Sequence, residues 1–416
     1  MQPVRGMQDF LPKKMAKKQL IEDTCRRVFE KYGFSPMQTP ALEDFEVLSK
    51  KGTAGEDVKE EIYYFKDKGD REIGLRFDLT VPLARIVASN PAMEKPFKRY
   101  QIEKVWRYDK PQASRYREFT QADADIIGVK SVKAEFECIA VAADILRELK
   151  ISGKIKVNNR KLLEGVAVAR GVAKEQAKEC FRCLDKLGKI GKKNVEAELK
   201  RKGINAKILG QLSKSFAQIE KEFSASVGFL ELKELFGLLE ENGLMDFVVF
   251  DLSLARGLEY YTGTVFEVAC DGPSIGGGGR YDGLIKAFGG VDSPACGISF
   301  GVERILELID AKTTIESSTR VFVAPLSKEF FAKSLKFAQK LRALVPGIAT
   351  EIDLLERSIS KNLNFASNKG IPFVIVLGEN EFKKGEFRLK NMKTGKEEKF
   401  RFGELEKLKK AVSKPI

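Results

Sequence analysis

Residues 97–125 read FKRYQIEKVWRYDKPQASRYREFTQADAD, a pattern that predicts two strands joined by a turn containing Pro111. Strand character covers 97–108 and returns over 118–127. A reversal this short pairs the two strands in antiparallel fashion. The sequence therefore predicts a β-hairpin in which side chains from both strands share a face of the sheet.

The predicted hairpin carries two sets of polar side chains. They are the arginines Arg107, Arg115 and Arg117, and the residues Gln121, Asp123 and Asp125 of the returning strand. Guanidinium groups offer planar pairs of donors, so the three arginines can converge on one anionic ligand. The other three alternate along the chain and therefore share one face of their strand. A ligand site is one interpretation, and a hairpin that faces water is the other.

Three further stretches combine glycine with arginine: LARGLEYYTG at 254–263, IGGGGRYDG at 275–283 and PACGISFGVER at 294–304. Gly257 beside Arg256 permits close approach of a ligand to the backbone. Four consecutive glycines leave no side chains to pack, so a ligand or a neighbouring backbone must come close, unless the segment is a flexible turn. Arg304 falls in the first turn of a predicted helix, where a cation is unfavourable. It requires an anion nearby or exposure to solvent.

The hydrophobic pattern divides the chain into regions of different character. It predicts helices at 13–32, 132–149 and 303–310, and strands at 62–65, 74–77, 247–252 and 264–270. Residues 171–225 are helical in pattern and rich in lysine and glutamate, which indicates an inserted helical module. A polar linker follows at 312–319. From 320 to 416, strands alternate with helices, which predicts a small α/β domain with a largely parallel sheet.

The composition limits the chemistry that this chain can perform. Its 416 residues are 43% hydrophobic and include no histidine. The lack of histidine excludes imidazole acid–base catalysis and Ser–His or Cys–His pairs. No run approaches the about 20 apolar residues of a membrane helix, and the N-terminus lacks the apolar run of a secretory signal. We therefore expect a cytoplasmic protein without membrane contact, whose six cysteines are reduced. Cys180 and Cys183 are interpreted as two cysteines on a helix face rather than zinc ligands.

The positive charge is concentrated in two blocks. The whole chain carries a formal charge of +14. Residues 320–416 hold 21 Lys and Arg against 11 Asp and Glu, and residues 171–225 hold 13 against 7, so these blocks carry +10 and +6. Two basic blocks on a near-neutral body are typical of a protein that binds a polyanion at two places. Solvated lysine-rich helices are the alternative.

Taken in order, the motifs resemble those of class II aminoacyl-tRNA synthetases, and over nearly the whole chain those of the histidyl-tRNA synthetase family. RGMQDFLP at 5–12 resembles the N-terminal motif of that family, 19–43 resembles class II motif 1, the 107–117 hairpin motif 2, and 297–304 motif 3. The stretches at 254–261 and 277–283 resemble the two boxes peculiar to histidine-specific members, which makes them the specific part of the resemblance.

The resemblance implies an α+β class II synthetase catalytic core, an antiparallel sheet flanked by helices, with a helical insertion and a C-terminal α/β anticodon-binding domain. The core would comprise residues 1–170 and 226–312, the insertion 171–225, and the anticodon-binding domain 320–416. The implied reaction joins L-histidine to histidine tRNA through a histidyl-adenylate, with ATP as substrate and Mg²⁺ as its ion. Motif 1 implies a homodimer.

The resemblance also assigns roles to individual residues. Arg107 and Arg256 would be catalytic, holding the α-phosphate of ATP from two sides. Arg115 would hold the γ-phosphate, and Arg304 would stack on the adenine. The implied histidine-binding residues are Asp78, Thr80, Gln121, Asp125, Arg256, Tyr260, Tyr261 and Tyr281. Asp78, Thr80 and Gln121 would bind the α-amino group, whereas Asp125 and Tyr261 would contact the imidazole and Tyr281 would close the pocket.

Two other functions remain open at the level of sequence. One is a catalytically inactive synthetase paralogue that binds histidine as a regulatory subunit. The other is a non-enzymatic RNA-binding protein on the same scaffold. Inactive paralogues typically lose the phosphate-binding arginines and the C-terminal domain, both of which this chain has.

Overall fold

A computed structural model describes residues 1–49, 61–110, 115–255, 261–310, 317–344 and 346–413. The chain forms two compact units, Met1–Thr313 and Thr314–Ile416, each with its own hydrophobic core. The predicted linker at 312–319 lies mostly outside the described residues.

The first unit contains eleven described strands and eleven described α-helices. The strands are β1 (Ser35–Pro36), β2 (Leu42–Asp44), β3 (Tyr64–Lys66), β4 (Glu72–Leu75), β5 (Phe97–Trp106), β6 (Glu118–Ile127), β7 (Gly153–Asn159), β8 (Val248–Phe250), β9 (Thr264–Cys270), β10 (Gly276–Arg280) and β11 (Ala295–Gly301). The helices are α1 (Pro12–Lys31), α2 (Phe45–Ser49), α3 (Thr80–Ser89), α4 (Lys133–Glu148), α5 (Arg160–Ala169), α6 (Ala177–Leu184), α7 (Leu187–Arg201), α8 (Phe216–Phe223), α9 (Val227–Glu241), α10 (Leu284–Ala287) and α11 (Val302–Asp310).

An eight-stranded sheet in the order β1-β5-β6-β11-β10-β9-β7-β8 forms the centre of this unit. Its inner pairings are all antiparallel, and only the outer pairs β1–β5 and β7–β8 are parallel. The predicted hairpin is β5–β6, with Phe97 opposite Ile127 and Trp106 opposite Glu118. Strand β5 ends two residues earlier than predicted and β6 spans the predicted 118–127, so Arg107, Arg115 and Arg117 lie beyond the strand ends. Strands β2, β4 and β3 form a separate small sheet.

The four glycines at 276–279 belong to an interior strand, β10, between β9 and β11. A Cβ atom added at Gly278 would lie 2.0 Å from the carbonyl oxygen of Gly297 on β11. Neighbouring backbones therefore come closer here than any side chain permits. The alternative of a flexible turn is wrong, because the glycines are needed for close strand packing.

Helices cover one side of the central sheet and share its core. Helix α1 buries Ile21, Cys25, Val28 and Phe29 against it, as its helical spacing predicts, although Leu20 on the same helix is 42% exposed. Helix α4 is buried along most of its length. The other face of the sheet carries polar side chains, and α3 and α10 pack on it around Ile127.

The segment 171–225 folds as helices α6, α7 and α8 with two short 3₁₀ turns at Lys174–Gln176 and Ala206–Gly210. Apolar side chains of these helices, such as Phe181 and Leu199, pack into the core of the first unit. Whether the segment acts as a separate module therefore stays a prediction. Cys180 and Cys183 are buried, and burial raises the pKa of the Cys180 thiol to about 12.

The second unit is a five-stranded sheet with helices. Its strands are β12 (Val321–Pro325), β13 (Thr350–Ile352), β14 (Phe373–Leu377), β15 (Glu386–Asn391) and β16 (Glu397–Arg401), and its helices are α12 (Lys328–Arg342), α13 (Ile359–Asn368), α14 (Glu379–Lys384) and α15 (Leu405–Val412). Strand β12 pairs in parallel with β13 and β14, whereas β14–β15 and β15–β16 are antiparallel. The prediction of a largely parallel sheet is thus wrong for half of the pairings. Strand β16 was not predicted, because its other residues are all charged and only Phe400 is buried.

Candidate active site

The candidate site lies on one face of the central sheet, where β6 runs beside β11. Gln121, Asp123 and Asp125 of β6 pair with Gly301, Ser299 and Gly297 of β11. Gly277 and Gly279 of β10 pair in turn with Ser299 and Gly297. On this face β11 and β10 therefore carry almost no side-chain bulk, and this leaves a shallow floor of glycine and serine.

Three glycines of this floor lie directly beneath predicted site residues. A Cβ added at Gly297 would lie 1.9 Å from Oδ1 of Asp125, and one added at Gly279 would lie 3.0 Å from the ring of Tyr261. At Gly301 the nearest atom would be Cδ of Arg304, at 3.4 Å. Glycine at 297 and 279 is what leaves room for Asp125 and Tyr261, whereas the distance at Gly301 is an ordinary contact with Arg304.

Asp125 is the centre of a buried polar cluster. It is 3% exposed, accepts a hydrogen bond from the hydroxyl of Tyr281, and lies 2.6 Å from a guanidinium nitrogen of Arg99 on β5. The structure therefore brings together two of the predicted histidine-binding residues, Asp125 and Tyr281. Arg99 was not among the predicted site residues, although a cation at the third position of a strand that the pattern places inside the sheet was the available signal.

Arg107 and Gln121 meet at the other end of the floor. Nε of Arg107 donates to the carbonyl oxygen of Phe77 at 2.9 Å, and its Nη2 lies 3.5 Å from Oε1 of Gln121. The guanidinium also packs over the ring of Phe119. Nε2 of Gln121 donates to the hydroxyl of Ser299 at 2.6 Å. These contacts hold Arg107 close to the floor just beyond the end of its strand.

Asp78 and Thr80 lie at the start of α3. Asp78 is buried, and its Oδ1 accepts a hydrogen bond from the backbone N–H of Val81 at 3.0 Å. This contact satisfies one of the N–H groups that a helix leaves unpaired in its first turn. Thr80 is the first residue of the helix and is half-buried. Their role in binding an α-amino group stays a prediction.

The remaining predicted residues differ in their placement. Nη1 of Arg304 donates to the carbonyl oxygen of Ser274 at 2.9 Å. Arg115 is largely exposed, and its Nε and Nη2 both lie 2.9 Å from Oδ2 of Asp109. Arg256 and Tyr260 lie outside the described residues. Phosphate binding by Arg115 would therefore require that its contact with Asp109 be exchanged for the ligand.

Two buried ion clusters support the site, and neither was predicted from the sequence. Lys18 of α1 donates to the hydroxyl of Thr120 at 2.7 Å and lies 3.2 Å from Glu303, whose other oxygen accepts the Thr120 N–H at 2.8 Å. This cluster ties α1 and α11 to β6, one residue from both Gln121 and Arg304. Arg280, next to Tyr281, forms a two-pronged pair with Glu135 of α4 at 2.7 and 2.6 Å.

Neither a membrane-crossing helix nor a metal cluster is found in the part of the chain that the structure describes. None of its helices is both long enough and apolar enough to span a bilayer. Its cysteine, aspartate and glutamate side chains form no group of three or more that could hold a metal ion.

Comparison with known proteins agrees with this architecture. Residues 6–305 match the family model described as histidyl-tRNA synthetase, and residues 320–411 match that of the anticodon binding domain. A histidine–tRNA ligase 1 of Bacillus cereus is 38% identical, and the alignment covers 96% of this chain and 97% of that one. The crystal structure of histidyl-tRNA synthetase from Nostoc has a TM-score of 0.86 at 29% identity, with 99% of each chain covered.

The fold is that of the class II aminoacyl-tRNA synthetases, with a C-terminal anticodon-binding domain, and this confirms the predicted fold class. Within that class, the chain belongs to the histidyl-tRNA synthetase family. A protein of Bacillus halodurans described as an ATP phosphoribosyltransferase regulatory subunit/histidyl-tRNA synthetase has the same fold, with a TM-score of 0.76 at 23% identity. The fold alone therefore does not distinguish an enzyme from a regulatory paralogue.

Proposed function

We propose that this protein joins L-histidine to its tRNA at the expense of ATP, through a histidyl-adenylate. The observation that carries the proposal is that the family resemblance extends over both units of the chain, while arginines and carboxylates meet on the glycine floor of the first. A site that binds an amino acid together with a nucleotide requires this combination of anionic and cationic side chains.

The chemistry of the first step needs no basic side chain from the protein. The carboxylate of histidine attacks the α-phosphorus of ATP, a carboxyl–phosphate bond forms, and the bond to pyrophosphate breaks. The protein must position the reactants and stabilise the negative charge that builds on the phosphorus. Arg107 and Arg256 are proposed for the α-phosphate, Arg115 for the γ-phosphate and Arg304 for the adenine. A chain without histidine is chemically sufficient for this step.

The second step transfers the histidyl group to the tRNA. A terminal ribose hydroxyl attacks the carbonyl carbon of the adenylate, the bond to the phosphate breaks, and AMP leaves. The phosphate of the adenylate can itself accept the hydroxyl proton. No triad of side chains is therefore required for this step either.

Histidine recognition is proposed for the cluster around Asp125. Asp125 and Tyr261 would contact the ring, Tyr281 and Tyr260 would line the pocket, and Asp78, Thr80 and Gln121 would hold the α-amino group. An amino acid whose side chain leaves Asp125 and its neighbours unpaired loses binding energy, since unpaired buried polar groups are costly.

Mg²⁺ is proposed as an ion that accompanies the phosphates of ATP. The described carboxylates form no cluster of three that would hold a metal by themselves. Its phosphate ligands would come with the nucleotide, and we assign no protein ligand to it. Bound there, it would add positive charge at the phosphates.

The tRNA is proposed to contact two basic regions. The C-terminal domain, with a net charge of +10, would bind the anticodon, and the helical segment 171–225 would hold the acceptor arm. A cavity of about 600 Å³ is lined by Lys192, Lys200 and Lys207 of this segment and by the adjacent Arg170, against the single acid Glu196. Such a concentration of cations suits the phosphates of RNA. A homodimer and a cytoplasmic location complete the proposal.

Pyrophosphate exchange with each amino acid in turn, followed by charging of histidine tRNA, tests the proposal. We expect exchange with histidine only, and histidine-specific charging. A protein that binds histidine without exchange would be a regulatory paralogue. One that binds tRNA but neither binds histidine nor supports exchange would be an RNA-binding protein.

A further inference from the structure

A single guanidinium lies wholly buried beneath the candidate histidine pocket. Arg99 is 0% exposed, its Nη2 lies 2.6 Å from Oδ2 of Asp125, and the same nitrogen donates to the carbonyl oxygen of Leu79 at 3.1 Å. Its Nε and Nη1 form no hydrogen bond with any described residue. Burial of a cation so sparsely satisfied is costly. A cation at this position therefore depends on Asp125 as its counter-charge.

The charges around this pair are arranged so that Arg99 and Asp125 balance each other. Tyr281 donates its hydroxyl to Asp125, and β11 contributes only the backbone of Gly297. Asp123 lies two residues away on the same face, toward Gln121, where Arg107 approaches. The carboxylate that would contact the ring is thus one half of a neutral ion pair.

We infer that Arg99 is a positioning residue that neutralises Asp125, so that the site binds histidine with an uncharged imidazole ring. The inference rests on the proposed function for the contact between Asp125 and the ring. A lone carboxylate would attract the imidazolium form. Beside Arg99, an imidazolium would instead lie close to a second cation in a buried site, where repulsion between like charges is strong. An uncharged ring can donate one N–H to Asp125 without that penalty.

The number of protons released when histidine binds measures how strongly the site selects the uncharged ring. At pH 6.0, at least about half of free histidine carries a charged ring, because the imidazole pKa is about 6 to 6.5. Binding of the uncharged form must therefore release at least about half a proton per histidine. Calorimetric titration of the full-length protein in two buffers with different ionisation enthalpies gives this number. A histidine analogue with a triazole ring, which is uncharged at this pH, should release none.

Variants of Arg99 separate its charge from a purely structural role. Arg99→Lys should keep most of the proton release, whereas Arg99→Met should reduce it to less than a third of the wild-type value. The double variant Arg99→Met/Asp125→Asn removes both charges and should restore the release. Melting curves establish that each variant is folded. If Arg99→Met does not fold, Arg99→Gln removes the charge but keeps a donor toward Asp125, and the same loss is expected.

Two results would overturn the inference while leaving the proposed function intact. One is a wild-type protein that binds histidine at pH 6.0 without releasing protons. The other is a folded Arg99→Met or Arg99→Gln variant that releases as many protons as the wild type. Absence of histidine binding altogether would instead refute the proposed function, and with it the assignment of Asp125 to the ring.

Discussion

Gly297 gives Asp125 its place on the floor of the site, since a Cβ there would lie 1.9 Å from the Asp125 carboxylate. Gly297→Ala should therefore displace Asp125 and raise the KM for histidine in pyrophosphate exchange about tenfold or more, the cost of one strained polar contact. The KM for ATP should change little. The matched control is Gly165→Ala on α5, where an added Cβ meets nothing within 4 Å. An unchanged histidine KM in folded Gly297→Ala would contradict the proposed pocket.

Arg256 is the residue on which the proposed transition-state contact depends. If it touches the α-phosphate as charge builds there, Arg256→Ala should lower the exchange rate by about a hundredfold, as loss of one oxyanion donor does. The KM for tRNA and the melting temperature should barely move. Arg256→Lys should recover little, because an ammonium lacks the planar pair of donors. A destabilised but fully active Arg256→Ala protein would indicate a structural arginine instead.

At the scale of a single element, the turn after β13 depends on Asp353. Burial would raise the pKa of Asp353, but N–H donors from Leu355 and Arg357, together with Asn362 and the nearby Arg357 guanidinium, outweigh it and lower that pKa below its usual value. A lowered pKa stabilises the folded state above the unfolded pKa of about 3.9, and this contribution is lost as the pH falls through the folded pKa.

Asp353→Asn should therefore lower the free energy of unfolding of the C-terminal unit at pH 7 by about 1–2 kcal/mol. A change of this size lowers the melting temperature by several degrees. The difference from the wild type should shrink progressively below pH 4. Thermal melts of both proteins at pH 7 and pH 3 measure it, and Asp271→Asn, at an exposed loop position, serves as the control. A difference that stays constant with pH would show that the charge of Asp353 is not what stabilises the turn.

For the whole molecule, the two units have separate cores and separate proposed tasks. Deletion of residues 320–416 should preserve histidine-dependent exchange but greatly weaken tRNA charging. It should also flatten the salt dependence of charging, because the removed domain carries +10 and phosphate contacts weaken with salt in proportion to their number. Unchanged charging would refute the anticodon assignment, and loss of exchange would indicate that this domain supports the dimer.

Local pattern in the sequence was enough to predict the β5–β6 hairpin, the polar face of β6 and the helical character of 171–225. Strand alternation and helical spacing are short-range properties that a linear sequence records directly. The order of the motifs was also enough to indicate the family, now shown by the comparisons. The reaction and the site residues were predicted from that resemblance rather than from the local pattern.

Only the tertiary structure decided which charges are buried together. Tyr281 and Asp125 are 156 residues apart in the chain, and Lys18 and Thr120 are 102 apart. The burial of Arg99 likewise follows from its neighbours in the sheet. The antiparallel β15–β16 pair was also decided by the tertiary structure, because the charged sequence of β16 does not indicate an edge strand. Pairing and burial depend on residues that are distant in sequence, so no local pattern encodes them.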